Sequence, residues 1–450
     1  MSNLIQPPKG TRDFLPQEMA LRRNVMDTIR ECFILYGFVE IDSPVFEYFE
    51  LLSRKCGEEI EKEIYTFEDK AKRKLGLRFE FTSPLGRYYA TNREKLTKPF
   101  KRYMIGKVYR YENTQMGRYR EFYQADADII GSYDMSVELE LLDLAVFILA
   151  KLRFNDYEII INDRKILDGI INAAGIEETK KGAALRAIDK IAKIGKDGVI
   201  KEFQKNGIGR GKYNSFIKIV SFNKGLDDKK KLLILKERLN EAIKDELIRN
   251  KAVEGIEELL YILKNIGAIG LNFIKYDPLL VRGLGYYTGP VFEIKSKDVS
   301  IGSFAAGGRY DNLVELYGAR PEGACGISFG VERMIDIVMQ RDEKAVKSLP
   351  LSIKLYIVYL SENERLYAYK VAKTLRLKGI GAELCVSGKP DIGKEIKYAD
   401  KKKIKYVVII GEKEVNENKL TLKNLHTREE KFLTLEEAIT QTALKFEDRM

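Results

Sequence analysis

Arginine recurs along one long hairpin, at Arg102, Arg110, Arg118 and Arg120; a later strand adds Arg282, and Arg309 and Arg333 follow. A guanidinium offers a planar fork of N–H donors that fits two phosphate oxygens at once, so arginines on rigid strands predict a clamp for a polyphosphate. Taken singly, Arg102, Arg118 and Arg120 read equally well as solvated strand or loop charges. Together with the acids Glu80, Glu112 and Asp128 they are less easily read as solvated charges.

The glycine-built nucleotide loops are missing. No GxxxxGK[ST] string occurs, and the nearest, from Gly207 to Tyr213, has neither the spacing nor the terminal hydroxyl. GLGYYTG at 283–289 is one residue too long for GxGxxG and opens no helix. A nucleotide would have to sit on another kind of site. His426, the single histidine, lies in a stretch rich in Lys and Glu that reads as a surface hairpin, which rules out HExxH zinc chemistry and argues against a Ser-His-Asp triad.

The chain has 450 residues, long enough for roughly three folding units. Lys and Arg number 78 against 67 Asp and Glu, a net +11, which favours a polyanionic partner such as RNA or an acidic substrate. Cys32, Cys56, Cys325 and Cys385 show no CxxC spacing, so neither a structural zinc site nor a disulfide framework is expected. The opening MSNLIQPPKGTRDFLP has no apolar signal core, and the longest apolar run, near 141–150, is broken by Asp143. A soluble cytoplasmic protein with no membrane partner is expected.

The elements that would position these side chains follow from periodicity. A helix is expected from Gln17 to Tyr36, a strand over FVEIDSPVFE stopping at Pro44, a strand over LRFEFTSP, and a short helix from Leu85 to Asn92. KRYMIGKVYRYE and YREFYQADADIIG predict a long antiparallel hairpin around the polar loop 113–118, followed by a helix from Val137 to Leu152 and a strand YEIIIND. Residues 165–264, rich in Lys, Ile, Leu and Glu, read as an inserted helical module. Strands resume with LLVRGLGYYTGPVFEI, SIGSFAAGGRYD and GACGISFG, before the helix VERMIDIVMQ. The expected organisation is therefore a core over 1–164 and 265–341, an insertion over 165–264, a linker over 342–351, and a separate α/β domain over 352–450 in βαβαβ order.

These strings are specific enough to show a resemblance. PPKGTRDFLP resembles the opening of the histidyl-tRNA synthetases, which are class II aminoacyl-tRNA synthetases. GFVEIDSPVFE is similar to motif 1, VYRYENTQMGRYREFYQADADIIG to motif 2 and GISFGVER to motif 3. LVRGLGYYTGPVFEI and AAGGRYDNLV resemble the two motifs that set the histidine enzymes apart from their prolyl, threonyl and glycyl relatives. The resemblance covers nearly the whole chain. It implies an α+β fold: an antiparallel-sheet catalytic core with a helical insertion, and a C-terminal α/β anticodon-binding domain.

It also implies a reaction, the ATP-dependent ligation of L-histidine to tRNA(His) through a histidyl-adenylate, with Mg2+ carried on ATP. By motif position Arg110 would hold the α-phosphate and the histidine carboxylate, Glu112 the adenine amino group, and Arg118 and Arg333 the outer phosphates. Arg282 would face Arg110 across the α-phosphate, where other class II enzymes are thought to use a metal ion; no metal ligand is assigned to the protein. Glu80, Phe81, Thr82, Gln124 and Asp128 would receive the α-ammonium and one imidazole nitrogen, with Tyr286 and Tyr287 along the ring. Gly307 and Gly308 would let the backbone approach the ligand closely. A homodimer through motif 1 and tRNA contacts at Lys401–Lys405 complete the implied picture.

One position departs from the family string RGLDYY: Gly285 stands where Asp is expected. Two other readings share the core, a synthetase-like regulatory subunit of ATP phosphoribosyltransferase and a catalytically weak RNA-binding paralog. The first typically lacks the domain over 352–450. Only Gly285 favours the second.

Overall fold

The computed structural model describes residues 5–54, 61–268, 270, 271, 273–282, 285–341, 353–387 and 390–443. Cys56 and the linker over 342–351 lie outside the described residues. Two compact units emerge, one built from residues up to Asp13 together with Val25–Gln340, the other from Phe14–Asn24 and the chain from Arg341 onward.

The strands of the first unit are β1 (Val39–Glu40), β2 (Phe46–Tyr48), β3 (Thr66–Glu68), β4 (Lys74–Leu77), β5 (Phe100–Tyr109), β6 (Glu121–Ile130), β7 (Tyr157–Asp163), β8 (Ile274–Tyr276), β9 (Pro290–Ser296), β10 (Ser303–Arg309) and β11 (Ala324–Gly330). Eight of them form one sheet in the order β1-β5-β6-β11-β10-β9-β7-β8. Its six central strands are antiparallel, and the short edge strands β1 and β8 pair parallel with β5 and β7.

Alternation along β5 and β6 divides the labour between the two faces. Odd-numbered residues face helices: Phe33 packs 5.1 Å from the Tyr103 ring and 6.2 Å from Phe329. Even-numbered residues of the central strands face the other way. There the direct partners are Arg102, Asp128 and Gly326, then Met104, Asp126 and Ser328, then Gly106, Gln124 and Gly330. Glycine at these partner positions lets neighbouring side chains close over the sheet: a Cβ at Gly326 would meet Asp128 Oδ1 at 2.0 Å, and one at Gly106 would meet Arg78 Nη2 at 2.9 Å.

Three expected elements differ from the structure. FVEIDSPVFE is two strands in two sheets, because Pro44 cannot donate to a ladder: β1 joins the large sheet and β2 pairs with β4 in a small three-stranded one. LRFEFTSP is strand only to Leu77, and the following helix begins at Thr82, not Leu85. LLVRGLGYYTGPVFEI becomes strand only from Pro290, so Arg282, Tyr286 and Tyr287 stand on a loop. That loop is fixed where it starts, by Asp277 N–H to Ile161 O and by Asn162 Nδ2 to Leu280 O at 3.0 Å.

Between β7 and β8 the chain is helical, with helices Arg164–Ala173, Lys181–Asp189, Ile191–Lys205, Arg210–Val220, Asp228–Ala242 and Glu246–Ala268. Asp163, the last residue of β7, caps the first of them by accepting from Lys165 N–H at 2.7 Å.

In the second unit β12 (Leu355–Tyr359), β13 (Ala382–Leu384), β14 (Tyr406–Ile410), β15 (Leu420–Asn424) and β16 (Glu430–Leu433) form a sheet ordered β13-β12-β14-β15-β16. The first three are parallel, as a βαβαβ order requires, and the last two add an antiparallel hairpin. His426 lies exposed in that hairpin's turn, its N–H donated to Asn424 Oδ1.

Candidate active site

Above the even-numbered face, the side chains of β5 and β6 meet those of the loops at the sheet's ends. Arg110 follows β5 and is held from behind: Nε donates to Phe79 O at 2.9 Å and Nη2 to Gln124 Oε1 at 3.3 Å. Gln124 in turn donates to Ser328 Oγ. Arg333, on the helix Val331–Arg341, donates from Nε to Gly117 O at 2.9 Å and from Nη1 to Ser303 O. Arg118 pairs with Glu112 at 3.5 Å. Three of the expected arginines thus converge. The Arg333 guanidinium is held below its ordinary pKa, first by burial and then by the charges of Arg110 and Arg118. Crowded cations of this kind form a site for an oxyanion.

The remaining arginines are not part of the clamp. Arg102 is wholly buried, with Nη2 2.5 Å from Asp128 Oδ2, and so is no solvated strand charge. Arg309 donates to Glu138 at 2.6 and 2.8 Å and to Asp311 at 3.1 Å. Arg120 stacks 4.2 Å over Tyr111 and donates to Glu112 O. Each is taken by a protein partner.

Glu80 caps the helix Thr82–Asn92: its two carboxylate oxygens accept from Thr82 and Ser83 N–H, both at 2.8 Å. The Phe81 side chain is fully buried with Met104 and Val108 and serves packing. Asp128 accepts from Tyr310 OH in addition to meeting Arg102. Tyr286 and Tyr287 lie 4.6 Å apart, and Tyr286 meets Tyr310 edge-on at 5.8 Å. Tyr286 has its pKa raised by burial, by Tyr287 and by the charge of Glu80, so the loop tyrosines and the helix cap share one neighbourhood. Gly307 and Gly308 serve the protein itself: a Cβ at Gly307 would meet Gly326 O at 2.1 Å, and one at Gly308 would meet Pro290 O at 2.6 Å and the Tyr287 ring at 3.0 Å.

Arg282 donates from Nη1 to Glu293 Oε1 at 2.6 Å, and its buried Nε has no acceptor among the described residues. Burial pushes the Glu293 carboxyl up, yet Arg282, Ser303 and Lys295 outweigh it and hold the pKa below its ordinary value. Glu293 went unseen in the sequence because it lies eleven residues beyond Arg282, on strand β9. Asp126 was also missed. It lies between Gln124 and Asp128 on the same face, and burial followed by the Asp128 charge pushes it up to about 7 against the pull of Arg102. Its signal was the every-second-residue spacing of QADAD.

A cavity of about 1560 Å³ adjoins this site, lined by Arg282, Tyr286 and Tyr287 on one side and by Arg164, Lys181 and Arg186 of the helical segment on the other. Gly285 opens onto it, with no atom of the described residues, its chain neighbours apart, within 4 Å of where a Cβ would stand. The missing aspartate therefore removes a charge without a packing defect.

The central antiparallel strands thus carry an arginine cluster together with a neighbourhood of carboxylates and tyrosines. A family model described as histidyl-tRNA synthetase matches residues 10–334, and one described as anticodon binding domain matches residues 354–443. The chain belongs to the histidyl-tRNA synthetase family. Histidine–tRNA ligases of Bacteroides fragilis (37% identical, 96% of this chain and 97% of theirs) and Clostridium tetani (38%, 96% and 96%) are among its relatives. The crystal structure of histidyl-tRNA synthetase from Nostoc matches with a TM-score of 0.81 at 29% identity, over 97% of this chain and 99% of that one.

Proposed function

We propose that the protein ligates L-histidine to tRNA(His) at the sheet face just described. A histidine carboxylate oxygen attacks the α-phosphorus of ATP, and pyrophosphate leaves with the electron pair of the broken P–O bond. A ribose hydroxyl at the tRNA 3′ end then attacks the carbonyl carbon and releases AMP. The observation that carries this reading is the convergence of Arg110, Arg118 and Arg333, with the Arg333 guanidinium held on Gly117 O and Ser303 O.

In this reading Arg110 spans the α-phosphate and the histidine carboxylate, Arg118 and Arg333 take the outer phosphates, and Glu112 meets the adenine amino group. Arg282 stabilises charge from the opposite side. Fixed donors of this kind act without reorganising as charge develops around phosphorus. Glu80, Thr82, Gln124 and Asp128 receive the ammonium and imidazole groups along the Tyr286–Tyr287 wall, and Phe81 contributes backbone there. Mg2+ is taken to arrive on ATP. Glu112 and Glu293 each already face a cation, so the phosphates would hold the ion chiefly themselves.

The core over 1–164 and 265–341, the helical insertion over 165–264 and the anticodon-binding domain after 352 are taken as the working divisions. A homodimer through the motif 1 region is supported by an exposed apolar group: Val39, Val45, Phe46 and Tyr48 are 54%, 41%, 53% and 51% exposed. A cytoplasmic setting fits the buried free thiols Cys32, Cys325 and Cys385, and no helix among the described residues is long and apolar enough to cross a membrane. The regulatory-subunit reading is not favoured, since an anticodon-binding domain is present. Histidine-dependent ATP–pyrophosphate exchange, together with charging of purified tRNA(His), tests the proposal; exchange with another amino acid instead would refute it.

A further inference from the structure

Tyr286 and Tyr287 stand on a loop that borders the large cavity, with Tyr287 buried in a core beside Val291, Tyr310 and Leu313 and Tyr286 packed against it. The residue that follows them, Thr288, is tied down by hydrogen bonds. Its N–H donates to Arg309 O at 2.9 Å, its Oγ1 accepts from Asp311 N–H at 3.0 Å, and its hydroxyl donates to Asp311 Oδ2 at 3.3 Å. Asp311 has its other oxygen, Oδ1, fixed by Ala324 N–H at 2.9 Å and Arg309 Nη1 at 3.1 Å. Arg309 is itself 2% exposed and bonded to the wholly buried Glu138. An unbroken chain of charge-assisted bonds thus runs from a buried ion pair to the residue beside the tyrosines.

We propose that Thr288 and Asp311 are positioning residues for histidine: a reciprocal brace, anchored by Arg309 and Glu138, that sets where the Tyr286–Tyr287 wall stands. The inference rests on the reading of those tyrosines as the wall of the amino-acid pocket. Tyr310, between Arg309 and Asp311 in the chain, donates to Asp128 and meets Tyr286 edge-on, so the brace also sets the spacing between the wall and the pocket floor. Arg110, Arg118 and Arg333, assigned to ATP, are held by Phe79, Gln124, Glu112, Gly117 and Ser303, with no bond to this brace among the described residues. Its loss should therefore be felt by histidine and not by ATP.

The test is steady-state pyrophosphate exchange by full-length Thr288→Val, Thr288→Ser and Asp311→Asn enzymes, with melting curves to establish folding. Thr288→Val keeps the shape but strands the Asp311 N–H and carboxylate, so the KM for histidine should rise about tenfold, the effect of unpairing buried polar groups. The KM for ATP should stay within about twofold, the resolution of such assays being far below the expected loss. Thr288→Ser, which restores the hydroxyl, should recover most of the histidine affinity. The Thr288→Val/Asp311→Asn double variant should be no worse than the poorer single one, because both remove the same link.

An unchanged histidine KM in folded Thr288→Val would overturn the brace, as would equal rises for both substrates or a failure of serine to rescue. Should Thr288→Val not fold, Asp311→Asn is judged by the same comparison of the two KM values. Tyr286→Ala separates the two levels. If it raises the histidine KM while Thr288→Val does not, the brace alone is wrong; if it leaves the histidine KM unchanged, the pocket reading falls and the brace with it.

Discussion

Arg282 Nη1 lies 2.6 Å from Glu293 Oε1, a pair formed between the loop that carries the two tyrosines and strand β9. The side chains are 23% and 11% exposed; a carboxylate holds one edge of the guanidinium, and the buried Nε has no acceptor among the described residues. An arginine flanked by apolar residues requires an anion. Here a protein carboxylate supplies part of that requirement, which makes Glu293 the group that orients Arg282.

If Arg282 stabilises the transition state, Arg282→Ala should slow single-turnover histidyl-adenylate formation by about a hundredfold to a thousandfold, the usual effect of removing one preorganised donor. Arg282→Lys should fall between it and the parent, since an ammonium lacks the fork. Glu293→Gln, which keeps a hydrogen bond but loses the charge, should cost about tenfold in the same step. Rapid-quench measurements decide the matter: a folded Arg282→Ala enzyme within about threefold of the parent would exclude the role, being far below the expected loss.

Asp126 should make stability depend on pH with an unusual sign. Its neighbours are Asp128, Glu80, Arg102, Gln124 and Ser328, and burial with the Asp128 charge moves its pKa from 3.8 to about 7. Between those values the folded chain keeps a proton that the unfolded chain has released. The stabilisation is full below the unfolded value and is lost as pH rises to about 7. Asp126→Asn cannot ionise, so its stability relative to the parent should grow from pH 5 to pH 8, by no more than about 4 kcal/mol. Denaturant titrations that run parallel across that range would show that Asp126 is ionised throughout.

The exposed group around β1 and β2 should be an interface between two copies. Phe46→Glu places a charge where a 53% exposed aromatic stands, which is harmless on a free surface and disruptive in a contact. Sedimentation should give twice 51.7 kDa for the parent and largely 51.7 kDa for the variant, with charging activity falling alongside. A parent that sediments as a monomer at micromolar concentration would remove the dimer from the account.

Within the basic run 401–405, Lys402 is already bound to Glu383 at 2.7 Å, while Lys401 and Lys403 are exposed. Lys401→Ala/Lys403→Ala should weaken tRNA(His) binding and lower its salt dependence, the log–log slope falling by about one unit for each phosphate no longer neutralised. Pyrophosphate exchange should be unaffected, because the site strings all precede Arg341. Equal loss of exchange and charging would contradict this division.

Local patterns carried much of the reading. Alternation made the β5–β6 hairpin and its polar face legible, because a strand's period of two is written in consecutive residues. The motif strings carried the family, and the βαβαβ order carried the second unit's parallel strands. Pro44 was visible as a stop but not as a crossing between two sheets, since a sequence names a break without naming the next partner. What only the tertiary structure decided were partnerships across long separations: Arg282 with Glu293, Arg102 with Asp128, and Arg309 with Glu138, 171 residues apart in the chain. A guanidinium announces that it needs an anion; which carboxylate meets it depends on strand order and register. Those were settled by burying the apolar faces of this sheet, and the same packing separated the arginines that brace the fold from Arg110, Arg118 and Arg333, which converge.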